Sequence, residues 1–205
     1  CRRVPEADRF TREGMFQGWG PEMFLGVDIH GQTIGVVGLG RIGLAVARRA
    51  AGFGMRILYY SRSAHPEAES SLGAVRMELD ALLRESDIVS LHTPLTPETV
   101  HLIDRRRIGL LKPTAVLVNT ARGPVLDEAA LAEALREKRI FAAGLDVYEN
   151  EPRLHPGLKE LSNVVLLPHL GSGTFETRRR MTRLAVDNLT AALEGRAPAH
   201  PVPLP

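Results

Sequence analysis

The residues best equipped for chemistry stand at the ends of apolar, β-branched runs. VLVNTARGP (116–124) starts like a buried strand and ends on a full positive charge, Arg122. AAGLDVYENEP (142–152) leads to Asp146 and then Glu151, VVLLPHLGSGT (164–174) to His169, and DIVSLHTP (87–94) to His92, Thr93 and Pro94. A single His or Asp in a loop is ordinarily a turn or cap residue. Here every unusual polar residue falls at a carboxyl end, the edge where open α/β sheets bind ligands. A guanidinium, an imidazole and a carboxylate on one edge offer three services to a keto acid. Arg122 clamps both oxygens of a carboxylate. His169 gives a proton to a carbonyl oxygen as its carbon is reduced. Glu151 supplies the anion that keeps such an imidazole protonated near neutral pH.

The reductant follows from GLGRIG (38–43), with Gly38, Gly40 and Gly43. It comes after TIGVV (33–37) and opens RIGLAVARRAA (41–51), the strand-to-helix context a dinucleotide fingerprint requires. Gly38 allows the tight turn, Gly40 the approach of a pyrophosphate, and Gly43 close helix packing, with the helix N-terminus facing the phosphates. Strand two then ends YYSRS, and no acidic residue occurs from 35 to 66. An NAD site usually carries Asp or Glu there for the ribose. Ser61, Arg62 and Ser63 suit a 2′-phosphate instead, because arginine binds phosphate with a bidentate fork. NADP(H) is therefore the expected cofactor, with NAD(H) as the alternative. Asp146, at its strand end, is placed to hold the nicotinamide carboxamide or ribose. His92 is the rival acid, but Thr93-Pro94-Leu95 reads as a loop over the cofactor. Gly171 and Ser172 put His169 beside a helix start.

These residues need a frame. Strand-like runs at 33–37, 56–60, 87–91, 115–119, 142–146 and 164–168 alternate with helical patterns at 41–51, 79–86, 104–111 and 127–137. A short helix is expected near the start, an extended arm to residue 31, and a long helix from about 174 to 194, capped by Ser172 or Thr174. The pattern predicts a doubly wound α/β parallel sheet, a Rossmann fold, with six strands in the order 3-2-1-4-5-6. The tail APAHPVPLP is too rich in proline to be regular. The expected organisation is a crossing helix and dimerisation arm (1–32), a dinucleotide-binding domain (33–172), and a C-terminal helix and tail (173–205).

Composition narrows the classes. The chain has 205 residues, 44% hydrophobic, with a formal charge of +2. Its basic clusters, Arg105–Arg107 and Arg178–Arg180, lack interleaved aromatics and read as solvated helix faces rather than a nucleic-acid surface. The single cysteine, Cys1, rules out a disulfide framework or a cysteine zinc site within one chain and fits a cytoplasmic setting. No metal site is expected. No apolar run approaches the roughly 20 residues of a membrane span, so no membrane partner is expected either.

HGQTIGVVGLGRIG, HTPLTPETVHLID, LVNTARGPVLDEAAL, AAGLDVYENEP and LLPHLGSGT together resemble the D-isomer-specific 2-hydroxyacid dehydrogenases. DRFTREGMFQGWGPEMFLG is similar to the glyoxylate/hydroxypyruvate reductase branch. The resemblance covers nearly the whole chain. It implies that Arg122 binds the substrate carboxylate, that His169 is the proton donor and that Glu151 is its partner. It implies that Arg41 and Ile42 touch the pyrophosphate. Pro94, Thr99, Thr120, Ala121 and Asp146 would line the path from adenine to nicotinamide. In that branch a Ser-Arg pair after strand two accompanies NADP use. The resemblance also implies a homodimer joined through the cofactor domains, with Phe16, Trp19 and Phe24 on the arm.

Members of that family have a second, N-terminal domain that closes over the substrate. The chain is expected to be a fragment lacking it, to bind NADP(H) weakly and to turn over little substrate. Two other functions share the pattern: a non-catalytic dinucleotide-sensing module of corepressor type, and a dehydrogenase for another 2-hydroxy acid such as phosphoglycerate.

Overall fold

The structure is a computed structural model that describes residues 1–201; the last four residues of the proline-rich tail lie outside the described residues. It divides into two compact units, 1–168 and 169–205.

The first unit is built on a parallel sheet. Its strands are β1 (Thr33–Val37), β2 (Arg56–Tyr60), β3 (Val75–Arg76), β4 (Ile88–Leu91), β5 (Val116–Asn119), β6 (Ala142–Leu145) and β7 (Val164–Leu166). The order is β3-β2-β1-β4-β5-β6-β7, and every pair is parallel. This is the Rossmann architecture, with one correction. The sheet has seven strands, not six, because Val75–Arg76 adds an edge strand against Leu58 and Tyr59. The run at 87–91 therefore lies beside β1 rather than outside β2. Two residues are too few to show a period-2 pattern, so this strand carries no sequence signal.

The helices are α1 (Val4–Arg12), α2 (Arg41–Ala51), α3 (Pro66–Leu72), α4 (Leu79–Glu85), α5 (Arg105–Ile108), α6 (Glu128–Arg136) and α7 (Pro156–Lys159). In the second unit, α8 (Phe175–Leu193) is capped by Thr174, whose side chain accepts from the Thr177 N–H. Helices α3 and α7 were not expected from the sequence. Each has proline at its start and a histidine at the N-cap, His65 and His155.

The alternation of strand side chains sorts the core onto two faces. Ile34, Val36, Ile57, Tyr59, Ile88 and Val116 pack with Ala47 and Ala50 of α2. Val37, Leu58, Val89, Leu91 and Leu117 pack with Leu82 and Leu83 of α4 and Leu131 and Leu135 of α6. The sheet is thus fixed from both sides, and its carboxyl edge is held as a rigid rim.

Between α1 and β1 the chain is irregular, with turns at 13–14, 21–24 and 30–31. Phe24 folds back, its ring 5.1 Å from that of Phe10 and 5.2 Å beneath the Arg3 guanidinium. Phe16 and Trp19 stay exposed, Trp19 at 84%. Among the described residues no helix is long and apolar enough to cross a membrane, and no group of three His, Cys, Asp or Glu could hold a metal ion. The basic clusters are paired with carboxylates: Arg105 with Glu133, Arg106 and Arg107 with Asp80, Arg179 and Arg180 with Glu176.

Candidate active site

The turn from β1 into α2 is shaped by what a side chain would hit. Gly38 has φ +97°, and a Cβ there would lie 2.8 Å from the His92 carbonyl carbon and the Thr93 nitrogen. A Cβ on Gly43 would collide with the Gly38 carbonyl, so only glycine lets α2 start this close to the strand. Gly40 is the N-cap and faces open space, and no side chain caps the helix. Arg41 and Ile42, in the first turn, are exposed. The result is a helix N-terminus opening onto the rim, the form that receives a pyrophosphate.

On the other side of the turn, β4 ends at His92 and Thr93. The His92 Nε2 lies 2.8 Å from the Ser90 hydroxyl, and burial pushes the imidazole below its ordinary value. Burial thus favours the uncharged form of this imidazole. The Thr93 hydroxyl is buried and has no hydrogen-bond partner. An orphaned hydroxyl beside Gly38 is a polar group waiting for a ligand atom, since leaving it unpaired costs free energy. The loop beyond it is stiffened by Thr99, whose hydroxyl donates to the Pro94 carbonyl at 2.7 Å and accepts from the Thr96 N–H at 2.7 Å. Thr99 thus shapes the loop that Pro94 begins.

At the end of β2, Ser61 is half-buried, and Arg62 and Ser63 are exposed. The Ser61 hydroxyl lies 3.3 Å from His65 Nε2. Arg76 of β3 donates to the Ser61 carbonyl from Nε (3.3 Å) and Nη2 (3.0 Å), and to the Arg62 carbonyl from Nη2 at 2.9 Å. Neither His65 nor Arg76 is part of the constellation read from the sequence. A two-residue strand gave no sign that Arg76 would reach this corner.

The end of β5 is organised by Asn119, which is 1% exposed. Its Nδ2 donates to the Arg122 carbonyl at 3.0 Å, and its Oδ1 accepts from the Ala121 N–H at 3.0 Å. This short clamp turns Thr120 and Arg122 outward. The Arg122 guanidinium is exposed, with Nη1 donating to the Ala121 carbonyl at 2.6 Å. Gly123 is buried with no room for a Cβ against the Tyr148 carbonyl. The Tyr148 N–H in turn donates to Glu151 Oε1 at 3.1 Å, and its phenol donates to the Leu167 carbonyl at 2.8 Å. Arg122 and Glu151 therefore project from two turns in direct contact. Asp146 is buried at the end of β6, its N–H donating to the Asn119 carbonyl at 3.0 Å. Sequence reasoning missed Asn119 and Tyr148, whose hydrogen bonds set the two turns.

His169, Gly171 and Ser172 belong to the second unit. His169 has φ +56°, a left-handed conformation uncommon outside glycine and often found where function holds it. Ser172 lies before the α8 N-cap, and its carbonyl accepts from Arg178 Nε at 3.2 Å.

A parallel sheet whose first turn is a glycine-lined helix N-terminus, with Arg122, Asp146 and Glu151 on the same rim, is the form of a dinucleotide-binding α/β domain. Residues 1–171 match the family model "D-isomer specific 2-hydroxyacid dehydrogenase, NAD binding domain". The chain belongs to that family and carries its nicotinamide-dinucleotide-binding domain. It is 56% identical over 202 residues to the glyoxylate reductase of Thermococcus onnurineus, covering 97% of this chain and 60% of that one. A crystal structure of a Thermus thermophilus protein superposes with a TM-score of 0.92 at 50% identity, over 98% of this chain and 63% of that chain. The NADPH-dependent glyoxylate/hydroxypyruvate reductase of Sinorhizobium meliloti, in complex with NADP and malonate, gives 0.88 at 37% identity, over 98% and 62%. The chain thus spans less than two thirds of the length of these relatives.

Proposed function

We propose that this chain is the cofactor half of an NADPH-dependent reductase of a small 2-keto acid, glyoxylate or hydroxypyruvate. The observation that carries the reading is the contact of Gly123 with Tyr148, which sets Arg122 and Glu151 on adjoining turns of the rim. Arg122, through its fork, pairs with the substrate carboxylate and orients the keto group. His169 gives its proton to the carbonyl oxygen as the carbon is reduced, and Glu151 favours the imidazolium that can do so. Bound in the cleft, the reduced nicotinamide supplies the hydride. Gly38, Gly40, Arg41, Ile42 and Gly43 hold the pyrophosphate, and Thr93 gives its orphaned hydroxyl a partner there. Asp146, Thr120, Ala121, Pro94, Gly171 and Ser172 line the remaining path.

NADP(H) is preferred because strand two ends without an acid and with Ser61 and Arg62. The Sinorhizobium meliloti relative, named as NADPH-dependent, supports this choice. A homodimer is the assembly we propose, for which exposed Phe16 and Trp19 are suitable contacts. A cytoplasmic setting suits the single cysteine.

The test uses the full-length protein with glyoxylate, hydroxypyruvate and pyruvate, each with NADPH and NADH. His169→Ala should lower kcat by about 100-fold or more while NADPH affinity holds. Absent turnover in the parent would instead favour a dinucleotide-sensing module, and unchanged turnover in His169→Ala would overturn His169 as the proton donor. A higher kcat/KM with NADH would overturn the reading of Ser61 and Arg62.

A further inference from the structure

Arg76 sits on the edge strand, paired with Tyr59, one residue before β2 ends. An exposed edge arginine would ordinarily extend into water. This one turns along the sheet edge and spends its fork on two consecutive carbonyls, those of Ser61 and Arg62, at 2.9–3.3 Å. The Ser61 hydroxyl is matched from the other side by His65, so both the backbone and the side chain of Ser61 have a partner. Two physical effects follow. The carbonyls carry partial negative charge that would repel a phosphate, and the guanidinium turns it toward itself. The same cation adds to the charge of Arg62, whose side chain is exposed beside it. The Glu98 carboxyl on the facing loop is held below its usual range by the Thr96 side chain first, and to a lesser degree by the Arg62 charge.

We propose that Arg76 is a positioning and specificity-determining residue for the 2′-phosphate corner: it fixes the Ser61–Arg62 peptides and completes a doubly cationic pocket for a phosphomonoester on the adenine ribose. This rests on the NADP(H) reading above. A planar fork is needed, because it must meet two carbonyls at once, so lysine is an incomplete replacement.

The test is calorimetric binding of 2′,5′-ADP and of 5′-AMP to the 205-residue chain; the two probes differ only in the 2′-phosphate. The parent should favour 2′,5′-ADP. Arg76→Ala should weaken 2′,5′-ADP by about tenfold, the scale of a charge-assisted contact, and leave 5′-AMP within about twofold. Arg76→Lys should recover part of the loss. If Arg76→Ala does not fold by circular dichroism, Arg76→Gln, which keeps an amide donor without the charge, should still show a selective loss. Equal loss of both probes would make Arg76 a purely structural brace and overturn the inference. So would no loss in Arg76→Ala while Arg62→Ala loses 2′,5′-ADP. If the parent itself does not favour 2′,5′-ADP, the NADP(H) reading fails and the inference falls with it.

Discussion

The buried Asn119 side chain grips the main chain of Arg122, donating to its carbonyl at 3.0 Å while accepting from Ala121 at the same distance. The charge at the end of β5 is therefore aimed by a neutral amide in the core. Asn119→Ala would leave the Arg122 carbonyl and the Ala121 N–H without this partner. The expected cost is about 1–3 kcal/mol of stability, read from urea unfolding. In the full-length enzyme the keto-acid KM should rise, because the guanidinium loses its aim. An unchanged unfolding midpoint would show that water replaces the amide without cost.

Thr93 predicts a trade between stability and binding. Its hydroxyl is buried and unpaired beside Gly38. Thr93→Val keeps the shape and removes the unpaired group. The apo chain should become no less stable, and more stable by up to about 1–3 kcal/mol. NADPH affinity should fall by about tenfold or less, the scale of one neutral hydrogen bond. A variant that loses stability and keeps affinity would show that the hydroxyl serves the fold.

Much of this was legible in the sequence because it was written in repeating or chemically strict terms. The glycines of GLGRIG and the apolar strands placed α2, the cofactor turn and the rim. The roles proposed for Arg122, Glu151 and His169 come from residue types at strand ends and from the family pattern. What escaped notice was two-residue or cross-strand structure. Val75–Arg76 is too short to show alternation, and without it the strand order comes out wrong by one place. Asn119 looks like one more polar residue after a strand, and Tyr148 like one more aromatic. Their work lies in contacts between β5 and the loop after β6, which no local pattern records. Phe24 is half-buried because it packs on Phe10 of α1 and on Arg3 at that helix's N-cap, contacts that no local pattern around residue 24 records.

His92 supplies a pH prediction. Burial lowers its pKa, so the folded protein binds fewer protons there than the unfolded chain once pH falls below about 6.5. Stability attributable to His92 is present above that value and is lost as pH falls toward the folded pKa. The imidazole resonances of His92 should titrate below about 6.5. His92→Gln should flatten the decline in unfolding free energy between pH 7 and 5. A His92 pKa at or above the ordinary value would return it to contention as the proton donor.

Gly123→Ala tests whether the two turns act as one unit. Gly123 is buried, and a Cβ there would run into the Tyr148 carbonyl, which is backbone and cannot rotate aside. The Tyr148 N–H holds the Glu151 carboxylate. A methyl at residue 123 must push apart the turn that carries Arg122 and the turn that carries Glu151. Overpacking of this kind costs about 1–3 kcal/mol. In a chain of this size, each kcal/mol lowers the thermal midpoint by about 2–4 °C. The cofactor turn lies at the end of β1, two strands away from β5 in the sheet. In the full-length enzyme, kcat/KM for the keto acid should therefore fall while the affinity for NADPH holds. If affinity and turnover fall together, the rim deforms as a whole, and the separation of cofactor and substrate roles along it is wrong.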